Sequence, residues 1–483
     1  MITLSGTAMN RRKFLAATLG APWVVRSAGA SRRPNVLILM TDQQSSESLS
    51  CRLGRRYLDT PNMDSLAAAG AFFSRAYCAN PLCVPSRTSM FTGRYPVETG
   101  VQINDTSPLD FRRFPNLGTL FRQAGYQTAY FGKWHLPYRE AQPETHGFQT
   151  MRTRGLKDDA VAKAATAFLS EGPREPFLMV TSFVNPHNIC QWARGEPLPD
   201  GEIGTPPPPE QCPPLRPNHA PQADEPDIMA LMRRSYQSSP MFPVANFDAG
   251  KWRQYIWAYY RMIEKVDALV GQLLRALRSS KLHERTLVVF LSDHGDCQGA
   301  HGWNQKTVLY EEAACVPLII SWPGVTSSRV SDRLVHTGVD LMPTLCDFAG
   351  VPVPEGSPGL SLRSATEGDR GPDPRSYLVV SNKMVQGAPV EGRTPTPEGR
   401  MVRSRRYKYC VYSEGARRES LVDLETDPGE MRNLASDPRY REVLESHRAM
   451  LAAWQRRTKD GFSLPADAAP AAGKARRATA GAD

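Results

Sequence analysis

Leu287-Val288-Val289-Phe290-Leu291 runs directly into Ser292-Asp293-His294, and this stretch decides how the chain folds. Five apolar residues without alternation suit a strand buried on both faces, and the polar residues come where such a strand leaves its sheet. The pattern recurs at Val36 to Met40 before Asp42-Gln43, at Thr128 to Phe131 before Lys133-Trp134-His135, and at Phe177 to Val184 before Asn185-Pro186-His187. Between the third and fourth runs, Tyr255 to Leu277 places Ile256, Ile263, Val266, Val270, Leu273 and Leu277 at helical spacing. That spacing predicts a long amphipathic helix laid on the sheet. Apolar strands separated by helices predict a large, mostly parallel α/β sheet flanked by helices, and ligands of such sheets bind beyond the carboxyl ends of the strands. All four polar clusters fall at that end.

With 483 residues the chain exceeds what one hydrophobic core serves, which predicts a large domain and a smaller one. The boundaries read as 31–375 for the catalytic domain and 376–464 for a C-terminal α/β subdomain. In the latter, Tyr407 to Tyr412 and Leu421 to Leu424 predict a short antiparallel sheet. Residues 465–483, rich in Ala and Gly, read as a disordered tail. Proline density from Gly195 to Pro226 predicts an extended loop over one face. The net charge of +10 is scattered rather than gathered in a stripe, which argues against a nucleic-acid partner and suits an anionic substrate.

At the N-terminus, Arg11-Arg12-Lys13-Phe14-Leu15 precedes a short apolar stretch and Ala28-Gly29-Ala30. The segment resembles a twin-arginine export signal, and its apolar part is too short for an integral membrane span. Residues 1–30 are therefore expected to be a signal peptide, with a periplasmic or extracellular destination. Nine widely spaced cysteines include no Cys-x-x-Cys pair. An oxidising compartment would permit disulfides among them.

One cysteine stands apart. Cys83-Val84-Pro85-Ser86-Arg87 is followed by Thr88-Ser89-Met90-Phe91-Thr92-Gly93-Arg94. Pro85 suits a first helical turn, so Cys83 is expected at a helix start, where free backbone N–H groups favour negative charge. Asp42 and Asp293, with Gln43 and His294 beside them, are donors able to hold a divalent cation near residue 83. The oxygen donors suit Ca2+ or Mg2+, and the imidazole leaves Mn2+ or Zn2+ open.

The Cys83 run resembles the signature of the formylglycine-dependent sulfatases of the alkaline phosphatase superfamily. The resemblance extends to Gly132-Lys133-Trp134-His135, Pro186-His187, Ser292-Asp293-His294-Gly295-Asp296, Lys306 ahead of Tyr310-Glu311-Glu312, and Asp423-Leu424. It implies an alkaline-phosphatase-like fold, a sulfate monoester substrate and a formylglycine-generating enzyme that converts Cys83, and the long proline-rich loops with aromatic residues point to a carbohydrate as the bearer of the sulfate. It further implies a calcium site of Asp42, Gln43, Asp293, His294 and residue 83 itself. Gln43 departs from the commoner second Asp and is familiar from choline-sulfatase-like and phosphonate-monoesterase-like relatives. The implied roles are positive charge from Arg87, Lys133 and Lys306, attack on sulfur by the hydrated formylglycine, protonation of the leaving oxygen by His187 or Lys306, and a base, His135, for release of sulfate. His301 and Arg94 are expected to support the site, and Trp192 to help form a sugar-binding rim. Two other readings are a phosphonate monoester or phosphodiester hydrolase on the same fold and a secreted, non-catalytic glycan-binding protein.

Overall fold

The computed structural model describes residues 33–155 and 157–465. The expected signal segment, and the expected tail beyond Pro465, lie outside the described residues.

The large sheet is built from β1 (Asn35–Asp42), β2 (Ala71–Tyr77), β3 (Gln127–Gly132), β4 (Thr150–Arg152), β5 (Phe177–Pro186), β6 (Thr286–Ser292), β7 (Leu318–Ser321) and β8 (Arg329–His336). Their spatial order is β4-β3-β5-β1-β6-β7-β2-β8. All neighbours run parallel except β7, which is antiparallel to both β6 and β2. The expected sheet is thus present, with one reversed strand. β2 and β8 carry none of the long apolar runs: β8 reads Arg329-Val330-Ser331-Asp332-Arg333 at its start, as an outer strand facing water can.

The unbroken apolar runs have a simple cause. In β1, Leu37 and Leu39 face a core shared with the helix Ala249–Ser279, while Val36, Ile38 and Met40 face a second core shared with the helices Cys83–Thr92 and Thr337–Ala349. Each face of the sheet is covered, so neither set of side chains can be polar. The long helix begins at Asp248, whose side chain accepts the Lys251 N–H at 2.7 Å.

Register aligns the reactive ends. Met40 lies opposite both Ser182 and Leu291, and Gly132 lies opposite Ser182, so the residues that follow leave the sheet side by side. A smaller antiparallel sheet follows, in the order β12-β11-β10-β9: β9 (Tyr377–Lys383), β10 (Glu398–Ser404), β11 (Tyr407–Tyr412) and β12 (Glu419–Asp423). His336, at the end of β8, places its Nε2 3.0 Å from the carbonyl of Val379 in β9 and ties the sheets together. All nine cysteines are free thiols, and only Cys51 is exposed.

Candidate active site

Cys83 is the first residue of its helix, and all ten residues of that helix are buried. Gly93 ends the helix in the left-handed conformation (φ 65°). The thiol sits in a ring of charged groups. Lys306 Nζ lies at 3.2 Å from Cys83 Sγ, His294 Nε2 at 3.3 Å, and Lys133 Nζ and Asp42 Oδ1 each at 3.9 Å. His135 and His187 also stand close enough to this side chain to influence its charge. The structure therefore gathers around residue 83 nearly every residue singled out in the sequence.

Arg87 is bound to the two carboxylates of the site. Its guanidinium is fully buried and donates to Asp293 Oδ2 at 2.7 Å, Asp42 Oδ2 at 3.1 Å, Ser182 Oγ at 2.9 Å and the Lys133 carbonyl at 3.1 Å. Its charge acts on the two carboxylates and fixes their orientation. Lys133 forms an ion pair with Asp42 Oδ2 as well. Gly132 makes this placement possible, because it has φ 98° and a Cβ there would lie 2.0 Å from the Ser182 carbonyl oxygen.

Electrostatics follow from this crowding. Burial pushes the Cys83 thiol up, but Lys133, Lys306, His294 and a bond from His135 outweigh it and hold the thiol well below its ordinary value. Burial and the Cys83 thiolate raise the Asp42 carboxyl, yet Lys133, His187 and Arg87 bring it far below the carboxylate range. Burial, then Lys133 and Lys306, push His187 down to about 3, so it is neutral at physiological pH. Lys306 stays protonated: burial opposes the charge, and the Cys83 thiolate and Asp42 prevail.

The donor set fits a cation. Ligand atoms of Asp42, Cys83, Asp293 and His294 all lie within 4.8 Å of one another, and all four residues are buried. His294 Nδ1 lies 3.0 Å from the Gly295 carbonyl, which can only accept, so Nε2 is the atom a cation would meet once it has given up its proton. Gln43 adds an amide oxygen beside them.

Several residues support the site in ways the sequence reading did not assign. Asp296 accepts from Gln43 Nε2 at 2.7 Å and from Tyr255 OH at 3.2 Å. Tyr259 OH donates to the Gln43 carbonyl at 2.8 Å, where Gln43 stands in the left-handed region with φ 73°. Two tyrosines of the core helix thus hold the site, although the periodicity of that helix speaks only of packing. Asp158 accepts from the backbone N–H groups of Val184 and Asn185 at 2.7 and 3.0 Å, anchoring the turn that carries His187. No motif marks it.

His301 is buried and stacked on Tyr310 with ring centroids 3.9 Å apart, and Arg94 holds the carbonyls of Glu355 and Gly356. Neither touches residue 83. Trp192 packs against Tyr255 with Lys251 over its ring. Trp134 and Tyr138 line a cleft of about 970 Å³ that opens beside Lys133, His135 and His187.

The sulfatase family profile matches residues 34–351, and the C-terminal profile of N-sulphoglucosamine sulphohydrolase matches residues 299–457. A Delta 4,5-hexuronate-2-O-sulfatase of Bacteroides thetaiotaomicron is 34% identical, across 92% of this chain and 93% of its own. A solved 2-O GAG sulfatase superposes with a TM-score of 0.78 at 31% identity, covering 90% of this chain and 94% of that one. The phosphonate monoester hydrolase of Agrobacterium radiobacter shares the fold, with a TM-score of 0.67 at 23% identity over 88% of this chain and 96% of its own. The non-catalytic reading gives way to an enzymatic one. Profile, relatives and fold agree with the residues gathered at Cys83: the chain belongs to the sulfatase family of the alkaline phosphatase superfamily and is a sulfuric ester hydrolase.

Proposed function

We propose that this sulfatase removes a sulfate monoester from a carbohydrate, using a formylglycine made from Cys83 and a calcium ion held by Asp42, Gln43, Asp293 and His294. The observation that carries the reading is the buried ring around Cys83 Sγ, with Lys306 at 3.2 Å and His294 at 3.3 Å. The saccharide part is supported by the hexuronate and GAG sulfatases among the relatives.

When present, formylglycine supplies a geminal hydroxyl as nucleophile, and the cation supplies positive charge for the sulfate oxygens. The remaining roles belong to the chain. Lys133 and Lys306 neutralise the charge that builds on the sulfate group. Lys306 carries a proton at neutral pH and delivers it to the leaving oxygen, while neutral His187 donates one N–H bond to the same region. His135, exposed at the cleft, takes a proton from residue 83 as sulfate departs. Arg87 keeps the two carboxylates aimed at the cation.

A twin-arginine leader would export the folded protein, after a formylglycine-generating enzyme has acted on Cys83. Among the described residues no helix is long and apolar enough to cross a membrane. Residues 31–375 would form the catalytic domain and 376–464 its C-terminal subdomain.

Gln43 and the shared fold favour one other reading, hydrolysis of a phosphonate monoester or phosphodiester. Turnover of an aryl sulfate against the matching aryl phosphonate monoester separates the two, with protein coexpressed with a formylglycine-generating enzyme and Cys83→Ala as the blank. A sulfate preference supports the sulfatase reading, and a phosphonate preference replaces it.

A further inference from the structure

The cleft beside Lys133, His135 and His187 is lined by more positive charge than its own carboxylates use. Four cations line it, Lys133, Arg139, Arg154 and Lys157, against two anions, Glu140 and Asp200. Lys133 is paired with Asp42. Arg154 Nε meets Glu140 Oε2 at 3.3 Å, and the same oxygen accepts the Thr153 hydroxyl at 2.5 Å. Asp200 is occupied by the Asp158 N–H at 2.6 Å and by Asn188 Nδ2 at 2.5 Å. Among the described residues this leaves the Arg139 and Lys157 side chains without a carboxylate partner on the cleft wall.

Their backbone is anchored, although both side chains are exposed. Trp134 Nε1 donates to the Tyr138 carbonyl at 2.9 Å, and His146 Nε2 lies 3.3 Å from the Glu140 carbonyl, so Arg139 stands between two tethered residues. Lys157 precedes the helix Asp158–Ser170, whose first N–H is bound by Asp200. Two unpaired cations on fixed backbone, facing the space that a sulfate ester must enter, form a recognition element for negative charge.

We infer that Arg139 and Lys157 form a subsite for a second anionic group of the substrate, a carboxylate or a second sulfate on the sulfated sugar or its neighbour. The inference rests on the sulfatase reading above and narrows its substrate class to polyanionic saccharides. Neutral sulfated sugars and aryl sulfates would occupy the reaction centre alone.

The test is steady-state kinetics on four probes: an aryl sulfate, a disulfated disaccharide containing a uronic acid, its carboxyl-reduced form, and its form lacking the second sulfate. The parent is compared with Arg139→Ala, Lys157→Ala, the double variant and Arg139→Lys. For the preferred saccharide, KM is expected to rise about 5-fold for each lost cation and about 25-fold for both, with kcat little changed. Arg139→Lys should recover part of this, and the aryl sulfate should be turned over equally by all variants. Whichever deletion, of carboxylate or of sulfate, abolishes the difference between parent and double variant identifies the group bound. Aryl sulfate turnover with no saccharide discrimination by parent or variants overturns the subsite and leaves the hydrolase reading standing. Silence of the parent on all four probes overturns both.

Discussion

Gln43 lies between Asp296, which accepts its amide N–H at 2.7 Å, and Lys306, whose Nζ donates to its carbonyl oxygen at 2.9 Å. An acceptor on one side and a cation on the other leave a single orientation for the amide, with the oxygen toward residue 83. A neutral side chain suits this place because Asp296 is already a buried acid, whose carboxyl burial pushes upward.

Gln43→Glu should therefore destabilise the protein, since it sets a second carboxyl against Asp296 in the interior. A cost of about 1 kcal/mol is expected, because Lys306 Nζ, 2.9 Å from the same oxygen, offsets part of the new charge. Asp296→Asn in the same chain should recover most of it. Chemical denaturation of the two single variants and the double variant measures the coupling, and additive losses would show that the pair does not interact.

Cys83→Ala should lose nearly all turnover, about 1000-fold or more, while its far-UV spectrum and melting profile show a folded protein. Mass spectrometry of the residue-83 peptide should find formylglycine in active preparations of the parent. Retained turnover in the alanine variant would remove residue 83 from the chemistry.

Chelation should lower both the melting temperature and turnover, and added Ca2+ should restore them. Asp42 and Asp293 are buried together with the Cys83 side chain, and a bound cation offsets their mutual repulsion. Asp293→Asn should weaken the chelator response. A melting temperature indifferent to chelator and to each added divalent ion would rule out the cation.

Asp158 provides a pH test away from residue 83. Burial and the nearby Asp200 push its carboxyl up to about 6, against bonds from Val184 and Asn185. Folded protein thus keeps this proton to higher pH than unfolded protein does, so this group's contribution to stability falls as pH rises from about 4 to about 6. Asp158→Asn cannot titrate. The melting temperature of the parent minus that of the variant should therefore be largest near pH 4 and shrink by pH 6.5, and a constant difference would contradict the shift.

Much of the site was legible because each strand ends in residues adjacent in sequence: Asp42 and Gln43, Lys133 and His135, His187, Asp293 and His294. The long runs before them show where the sheet stops. Arg87 was legible as a site residue but not in its partners, since a guanidinium reads the same whichever carboxylates it meets. Tyr255, Tyr259 and Asp158 carried no signal. Their hydroxyls and carboxylate act on groups 26 to 216 residues away, and helix periodicity reports only which face is buried.

Read without coordinates, the chain already reveals the strand–helix alternation, the helix start at Cys83, the family and the chemical class of donors. These depend on local patterns: apolar runs, a proline in the first turn, and residue types held at close spacing. Tertiary structure alone decided that β7 runs backwards between β6 and β2, that Arg87 is bound up with Asp42 and Asp293, that Asp296 orients Gln43, and that Arg139 and Lys157 face the cleft unpaired. Each is a pairing between distant segments, and which donor meets which acceptor is settled only when packing removes the alternatives.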